Sequence, residues 1–167
     1  MVRMTADPYR VCVVCSGNIC RSPMGEIVLR DLLADAGLGD RVVVDSAGTG
    51  DWHVGDPADR RTVRALHEAG YDGAAHRAQH LTPPVLAERD LVLVADRGHL
   101  REVERMARHT DTDAEIRLLR EFDPAAVAAD QLEVDDPYFG DEADFRRCLE
   151  EVAAACAGVV DHLRAEV

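Results

Sequence analysis

Short apolar runs rich in β-branched residues alternate along the chain with longer stretches whose apolar positions recur every three or four residues. Residues 10–14 (RVCVV) have the pattern of a strand buried on both faces, 41–45 (RVVVD) and 90–95 (DLVLVA) read as a second and third strand, and 114–118 is a shorter candidate. The first helix is predicted to open at Ser22-Pro23, with Ser22 as N-cap and Pro23 at the first helical position. Met24, Ile27, Val28, Leu32 and Leu33 continue it to a stop at Gly37. Further helices are predicted over 57–70 (stripe Val63, Leu66, Ala69), 97–108 and 141–165, with a short helical turn after Pro83-Pro84. Residues 120–140 read as a polar loop. Residues 1–9 read as a lead-in, and 10–167 as one domain without repeats or linkers. Strands alternating with helices predict an α/β fold, a three-layer, Rossmann-like arrangement with a central four-stranded parallel sheet and helices on both faces.

Charge narrows the function. The 167 residues carry 32 acidic against 19 basic side chains, a net charge of −13. Nonspecific nucleic-acid binding needs many cations against phosphates, so no nucleic-acid partner is expected. The global field also repels anions, so any anion site must be local, built from backbone N–H groups and one or two placed cations. Every basic residue is Arg, which lowers the information carried by any single one. No apolar run approaches the ~20 residues that span a bilayer, and no signal peptide is visible. The expectation is a cytoplasmic monomer without membrane contact. The five cysteines, an odd number, read as reduced thiols. Cys12 and Cys15 have C-x-x-C spacing, but on a strand they point to opposite faces, which disfavours zinc. No metal or cofactor is expected.

The chemistry concentrates between the first strand and the first helix, in Cys15-Ser16-Gly17-Asn18-Ile19-Cys20-Arg21-Ser22. Ligands of open α/β sheets bind beyond the carboxyl ends of strands. Successive N–H groups entering a helix there form an anion-binding concavity. A cysteine in that field is expected to be largely thiolate, the nucleophilic form. Arg21 offers a planar fork to two phosphoryl oxygens, and Ser22 a hydroxyl to the sulfur. Gly17 and Asn18 tolerate left-handed backbone. The composition yields ~0.03 chance matches to C-x5-R-[ST], too few to make this an ordinary turn. Asn18 is the chain's one Asn, and two of its three Ser fall here.

Val14 to Pro23 (VCSGNICRSP) resembles the active-site loop of the low-molecular-weight protein tyrosine phosphatases, and Asp136-Pro137-Tyr138 resembles a second element of that family near the last helix. The resemblance runs through nearly the whole chain. It implies Cys15, Arg21 and Asp136 as catalytic residues, with Asp135 as the competing acid. It implies binding of a phosphate or other oxyanion by Ser16, Gly17, Asn18, Ile19, Cys20 and Ser22. An aryl slot would be walled by Trp52, Tyr138 and Phe139, although Tyr138 packing on the last helix is an equal reading. Ser46 and His76 resemble positions that hydrogen-bond Asn18 or its neighbours and hold the loop's shape, and Glu26 and Asp96 would be partners that orient a catalytic group. Phosphoarginine phosphatases of this fold typically carry Thr where Ile19 stands, so Ile19 and Trp52 together favour a phosphotyrosine-containing protein as substrate.

Two rivals remain open. Arsenate reduction on this scaffold relays oxidation to cysteines after the third strand, yet residues 77–110 contain none, and Cys148 and Cys156 lie in the last helix. A noncatalytic phosphopeptide-binding module would have no use for Cys15, Arg21 and Asp136 together. Cys20, five residues from Cys15, is positioned in sequence to trap an oxidised nucleophile as a disulfide. Cys20→Ser is then expected to make peroxide inactivation irreversible by thiols; unchanged reversibility would remove that role.

Overall fold

The computed structural model describes residues 7–167. Four strands, β1 (Tyr9–Cys15), β2 (Val42–Gly48), β3 (Leu91–Val94) and β4 (Glu115–Leu118), form one parallel sheet in the order β2-β1-β3-β4. Six helices connect or cover them: α1 (Arg21–Asp35), α2 (Arg60–Glu68), α3 (Pro83–Ala87), α4 (Arg97–Arg108), α5 (Pro124–Ala128) and α6 (Glu142–Glu166). The α/β reading with helices on both faces holds. β1 already begins at Tyr9, inside the stretch expected as lead-in; residues 1–6 lie outside the described residues.

Alternation along β1 sends side chains into two cores. Val11, Val13 and Cys15 join Met24, Val28 and Leu29 of α1 and Phe145, Val152 and Val159 of α6 on one face. Cys12 and Val14 join Leu86 of α3 and Val103 of α4 on the other. Cys12 and Cys15 therefore face opposite sides of the sheet. The central strands are apolar on both faces because both are covered.

Helix boundaries differ from the expectation for identifiable reasons. Ser22 does not cap α1: the helix opens at Arg21 behind Cys20, whose side chain makes no capping bond. The Ser22 hydroxyl is used elsewhere, as described below. Pro23 falls third, still within the first turn, where backbone N–H groups have no intrahelical acceptor to lose. The far end obeys its signal. Gly37 (φ +76°) closes a Schellman turn with Leu38 N–H on Leu33 O at 2.8 Å and Gly37 N–H on Ala34 O at 3.1 Å. α2 starts at Arg60, not 57, because the Asp59 carboxylate caps the Arg61 N–H at 2.9 Å. Residues 120–140 are not all loop: a 3-10 turn (Leu119–Phe122) and α5 occupy part of them. α5 rests on Asp123 as cap and Pro124 at its first position, and is too short to show an apolar period. α6 is opened by reciprocal Asp141 and Asp144 bonds of 2.9 and 3.1 Å.

The order 2-1-3-4 places the carboxyl end of β1 at the point where connections diverge to either side, which is where open α/β sheets leave a crevice. Gly25 fixes the height of α1 above β1 there: a Cβ at Gly25 would lie 2.7 Å from Val13 Cγ1. Gly25→Ala would gain up to about 1 kcal/mol of helix propensity but overpack this contact by about 1–3 kcal/mol. The variant is expected to lower the urea unfolding free energy by about 1–2 kcal/mol. A stabilised variant would contradict this packing.

Candidate active site

The loop from Cys15 to Ser22 is shaped by where its carbonyl groups go. Cys15 O accepts from Thr49 N–H (2.9 Å), Ser16 O from Gly50 N–H (3.0 Å) and Ile19 O from Asp59 N–H (2.9 Å). Asn18 O lies 2.8 Å from His76 Nε2, which must be the protonated nitrogen because a carbonyl only accepts. With the carbonyls tied to the surrounding chain, no hydrogen bond among the described residues uses the N–H groups of Ser16, Gly17, Asn18, Ile19 or Cys20. A run of N–H groups freed in this way is an anion cradle.

Asn18 is the keystone of the loop. It is fully buried and left-handed (φ 59°), a conformation that Asn adopts more readily than most residues. Its Oδ1 accepts from Gln79 N–H (2.9 Å), and its amide donates to Ser22 Oγ (2.7 Å) and Ser46 Oγ (2.9 Å). These bonds orient the hydroxyls beyond them. Ser46 donates to Glu26 Oε1 (2.6 Å). Ser22 Oγ, with Asn18 already donating to it, turns its proton to Cys15 Sγ at 2.9 Å; the Ala47 carbonyl, at 3.5 Å, is the weaker alternative. The Ser22 N–H also faces that sulfur, at 3.4 Å. Glu26 Oε1 further lies 3.8 Å from His76 Nδ1. β2 closes from the side: a Cβ at Gly48 would meet Ser16 O at 2.6 Å.

Arg21 is buried, with Nη1 on Asp96 Oδ2 (3.0 Å) and Val134 O (2.9 Å) and Nη2 3.7 Å from Asp136 Oδ2. Burial works against its charge, but the Cys15 sulfur and the carboxylates of Asp136 and Asp96 more than offset that, holding the guanidinium above its ordinary value. Asp96 is held below the usual carboxylate range: burial raises it, and bonds from the His99 N–H and from Arg21 outweigh burial.

Cys15, Ser16, Gly17 and Arg21 open into a cleft of about 310 Å³. Ile19 and Cys20 line it from the loop, Trp52 and His53 from the segment after β2, and Asp136, Tyr138 and Phe139 from the segment before α6. Trp52 is 70% and Phe139 93% exposed, unusual for large apolar side chains outside a binding surface. Tyr138 stands edge-on to Phe139, with ring centroids 4.9 Å apart. Arg61 lies over both Tyr138 (5.4 Å) and Phe145 of α6 (4.5 Å), so Tyr138 walls the cleft and is braced to the last helix. Burial pushes the Cys20 thiol up to about 12.

Most of the residues singled out in the sequence converge here, at two depths. Asn18 and Ser22, expected to bind substrate, do not line the cleft; their side chains sit beneath the loop with Ser46, His76 and Glu26. Asp135 lines neighbouring surface depressions and not the cleft. Two residues were missed. His53 stands beside Trp52, a position that marked it, with Nδ1 3.2 Å from Asp56. His99 lies 83 residues from its partner Ser16, with Nε2 2.8 Å from Ser16 Oγ; no local signal announces that pairing.

The keystone role of Asn18 has a measurable size. Asn18→Ala removes three side-chain bonds and leaves a left-handed residue without compensation, and is expected to cost about 2–4 kcal/mol in urea unfolding. A loss below about 0.5 kcal/mol would show that the loop holds itself.

Known proteins resemble this chain in sequence and in fold. The family model described as low molecular weight phosphotyrosine protein phosphatase matches residues 10–167. A low molecular weight protein-tyrosine-phosphatase of Streptomyces coelicolor is 49% identical over 159 residues, covering 95% of this chain and 96% of the relative. The solved protein tyrosine phosphatase of Entamoeba histolytica, with Hepes in its active site, superposes with a TM-score of 0.85 at 26% identity, covering 95% of this chain and 98% of that one. A Drosophila arginine phosphatase superposes at 0.84 and 28% identity, covering 92% and 96%. Matched along almost its entire length in sequence and in fold, the chain belongs to the low molecular weight phosphotyrosine protein phosphatase family.

Proposed function

We propose that the chain hydrolyses phosphotyrosine in proteins, and small aryl phosphates, in two steps through a thiophosphate on Cys15. The observation that carries this reading is the meeting of Cys15 Sγ, the Arg21 guanidinium and the Asp136 carboxyl in one cleft floored by unpaired N–H groups. In the first step the Cys15 thiolate attacks phosphorus in line, a sulfur–phosphorus bond forms and the bond to the tyrosyl oxygen breaks. Arg21 and the loop N–H groups hold the equatorial oxygens, where charge is spread in the transition state. Asp136 gives its proton to the leaving phenolate. In the second step the Asp136 carboxylate takes a proton from water, whose oxygen attacks phosphorus as the sulfur leaves. The Ser22 hydroxyl, 2.9 Å from that sulfur, receives it as a thiolate. Asp136 is favoured over Asp135 as the acid because Asp136 reaches the cleft and lies 3.7 Å from Arg21.

The aryl preference rests on the wall. Ile19, Trp52 and Tyr138 offer apolar area to a ring, and the cleft offers little to a short phosphoserine side chain. Arsenate reduction finds no support in the remaining thiols. Cys148 and Cys156 are buried in α6, and burial raises both, Cys156 to about 12. The reading extends to a monomer acting in the cytoplasm, as expected from the sequence. Among the described residues no helix is long and apolar enough to cross a membrane.

Steady-state turnover of an aryl phosphate is the check. Cys15→Ser is expected to abolish it. Asp136→Ala should lower kcat by about 10²-fold or more, and Asp135→Ala by less than about threefold. A phosphotyrosine peptide should exceed phosphoserine and phosphoarginine peptides by about 10²-fold in kcat/KM. Full activity in Cys15→Ser would falsify the assignment.

A further inference from the structure

The two-step reaction above assigns no part to a row of groups beside the nucleophile. Ser16 Oγ lies 2.8 Å from His99 Nε2, and His99 Nδ1 lies 3.2 Å from Asp96 Oδ1. The same Asp96 carboxylate holds Arg21 through its other oxygen, at 3.0 Å. Hydroxyl, imidazole and carboxylate in this order would elsewhere make a serine nucleophile. Here the carboxylate is shared with Arg21, and His99 is buried with Arg21 beside it, both of which weaken the imidazole as a base. Orientation, not proton abstraction, is what this row can supply.

The direction of the Ser16 bond depends on His99. Asp96 Oδ1, which accepts from the His99 backbone N–H, lies 3.2 Å from Nδ1 without hydrogen-bond geometry, so its negative charge alone favours a proton on that nitrogen. In the neutral ring Nε2 is then an acceptor, Ser16 donates to it, and the Ser16 lone pairs remain for the cleft. If Nε2 also carries a proton, it donates to Ser16 Oγ and the Ser16 O–H is released toward the cleft that Ser16 lines. An oxyanion repels the first arrangement and accepts a hydrogen bond from the second.

We propose that His99 is a positioning residue for the phosphoryl cradle, setting whether the Ser16 hydroxyl turns its lone pairs or its O–H toward an oxyanion held over Cys15. The proposal rests on the reading of the Cys15 loop as that cradle. Anion binding and proton uptake at His99 are then linked, each favouring the other. The charged groups facing His99 are Asp96, Arg21, Glu102 and Asp136. Burial, with Arg21, keeps the free ring low in proton affinity despite the three carboxylates, leaving room for an anion to raise it.

The test follows the His99 ring by NMR in the full chain, without and with saturating sulfate, an oxyanion whose charge is constant across the pH range. In the wild-type chain sulfate is expected to raise the His99 midpoint by about one pH unit. The rise should fall to less than about half of that in Ser16→Ala and return in Ser16→Thr, which keeps the hydroxyl. Equal rises in the wild-type chain and Ser16→Ala, or none in the wild-type chain, overturn the proposal. Kinetics give a second reading that does not need Ser16→Ala to fold. His99→Ala is expected to lower kcat for an aryl phosphate about tenfold, and His99→Gln, whose amide reaches the same hydroxyl, to recover most of it. Equal loss in both variants overturns the role. Cys15→Ser separates the two readings: lost turnover with no sulfate-linked rise sinks the His99 role alone, whereas retained turnover removes the cradle reading beneath it.

Discussion

One chain of hydrogen bonds governs the active-site loop: Glu26 accepts from Ser46, Ser46 from Asn18, and Asn18 donates onward to Ser22, which faces Cys15 Sγ. The Asn18 amide, fixed by the Gln79 N–H on its oxygen, donates to both hydroxyls, so Ser46 turns its proton to Glu26 and Ser22 turns its proton to Cys15 Sγ. The same Asn18 bends the loop into left-handed backbone and presents its carbonyl to His76. The outward carbonyls leave the loop N–H groups unpaired, and the proposed phosphate binding rests on that geometry. Buried networks of this kind are rigid only when every member is paired. The Asn18 side chain is fully paired, through both amide hydrogens and its oxygen, and its carbonyl is paired too, while its backbone N–H stays free for the cleft.

The electrostatics follow the same logic of local placement. With a net charge of −13 the surface does not attract a phosphoprotein, and the site compensates with one buried cation whose orientation is over-determined. Arg21 is gripped by Asp96 and the Val134 carbonyl on one nitrogen, which leaves the rest of the fork toward the cleft and Asp136. Asp96 has three tasks: it caps α4, holds Arg21 and faces His99. In the proposed reading, binding rests on eight consecutive residues and a short list of supports, and the exposed Trp52 and Phe139 offer apolar contact where charge does not help.

Much of this was legible in the chain itself, for physical reasons that differ by feature. The central strands β1 and β3 announced themselves because burial on both faces forces unbroken apolar runs, and Gly37 marked a helix end because the Schellman turn needs its positive φ. Cys15, Arg21 and Asp136 stood out because thiolate phosphoryl transfer calls for those types, and the structure brings the three to one cleft. Ser22 was misread as a cap: a hydroxyl at a helix start suits either task, and only the position of Cys15 decides between them. α5 was invisible because five residues cannot display a 3.6-residue period. The Ser16–His99 contact was invisible because it joins the loop after β1 to α4 across 83 residues through the sheet order, which pattern alone does not reveal.

The central claim is that phosphorus passes through Cys15. Rapid quenching of the wild-type chain with a phosphotyrosine peptide, followed by mass spectrometry of the digested protein, tests it directly. The account predicts a phosphate on Cys15 within the first turnover and nowhere else. Continued turnover with Cys15 unmodified, or phosphate on another side chain, would contradict it.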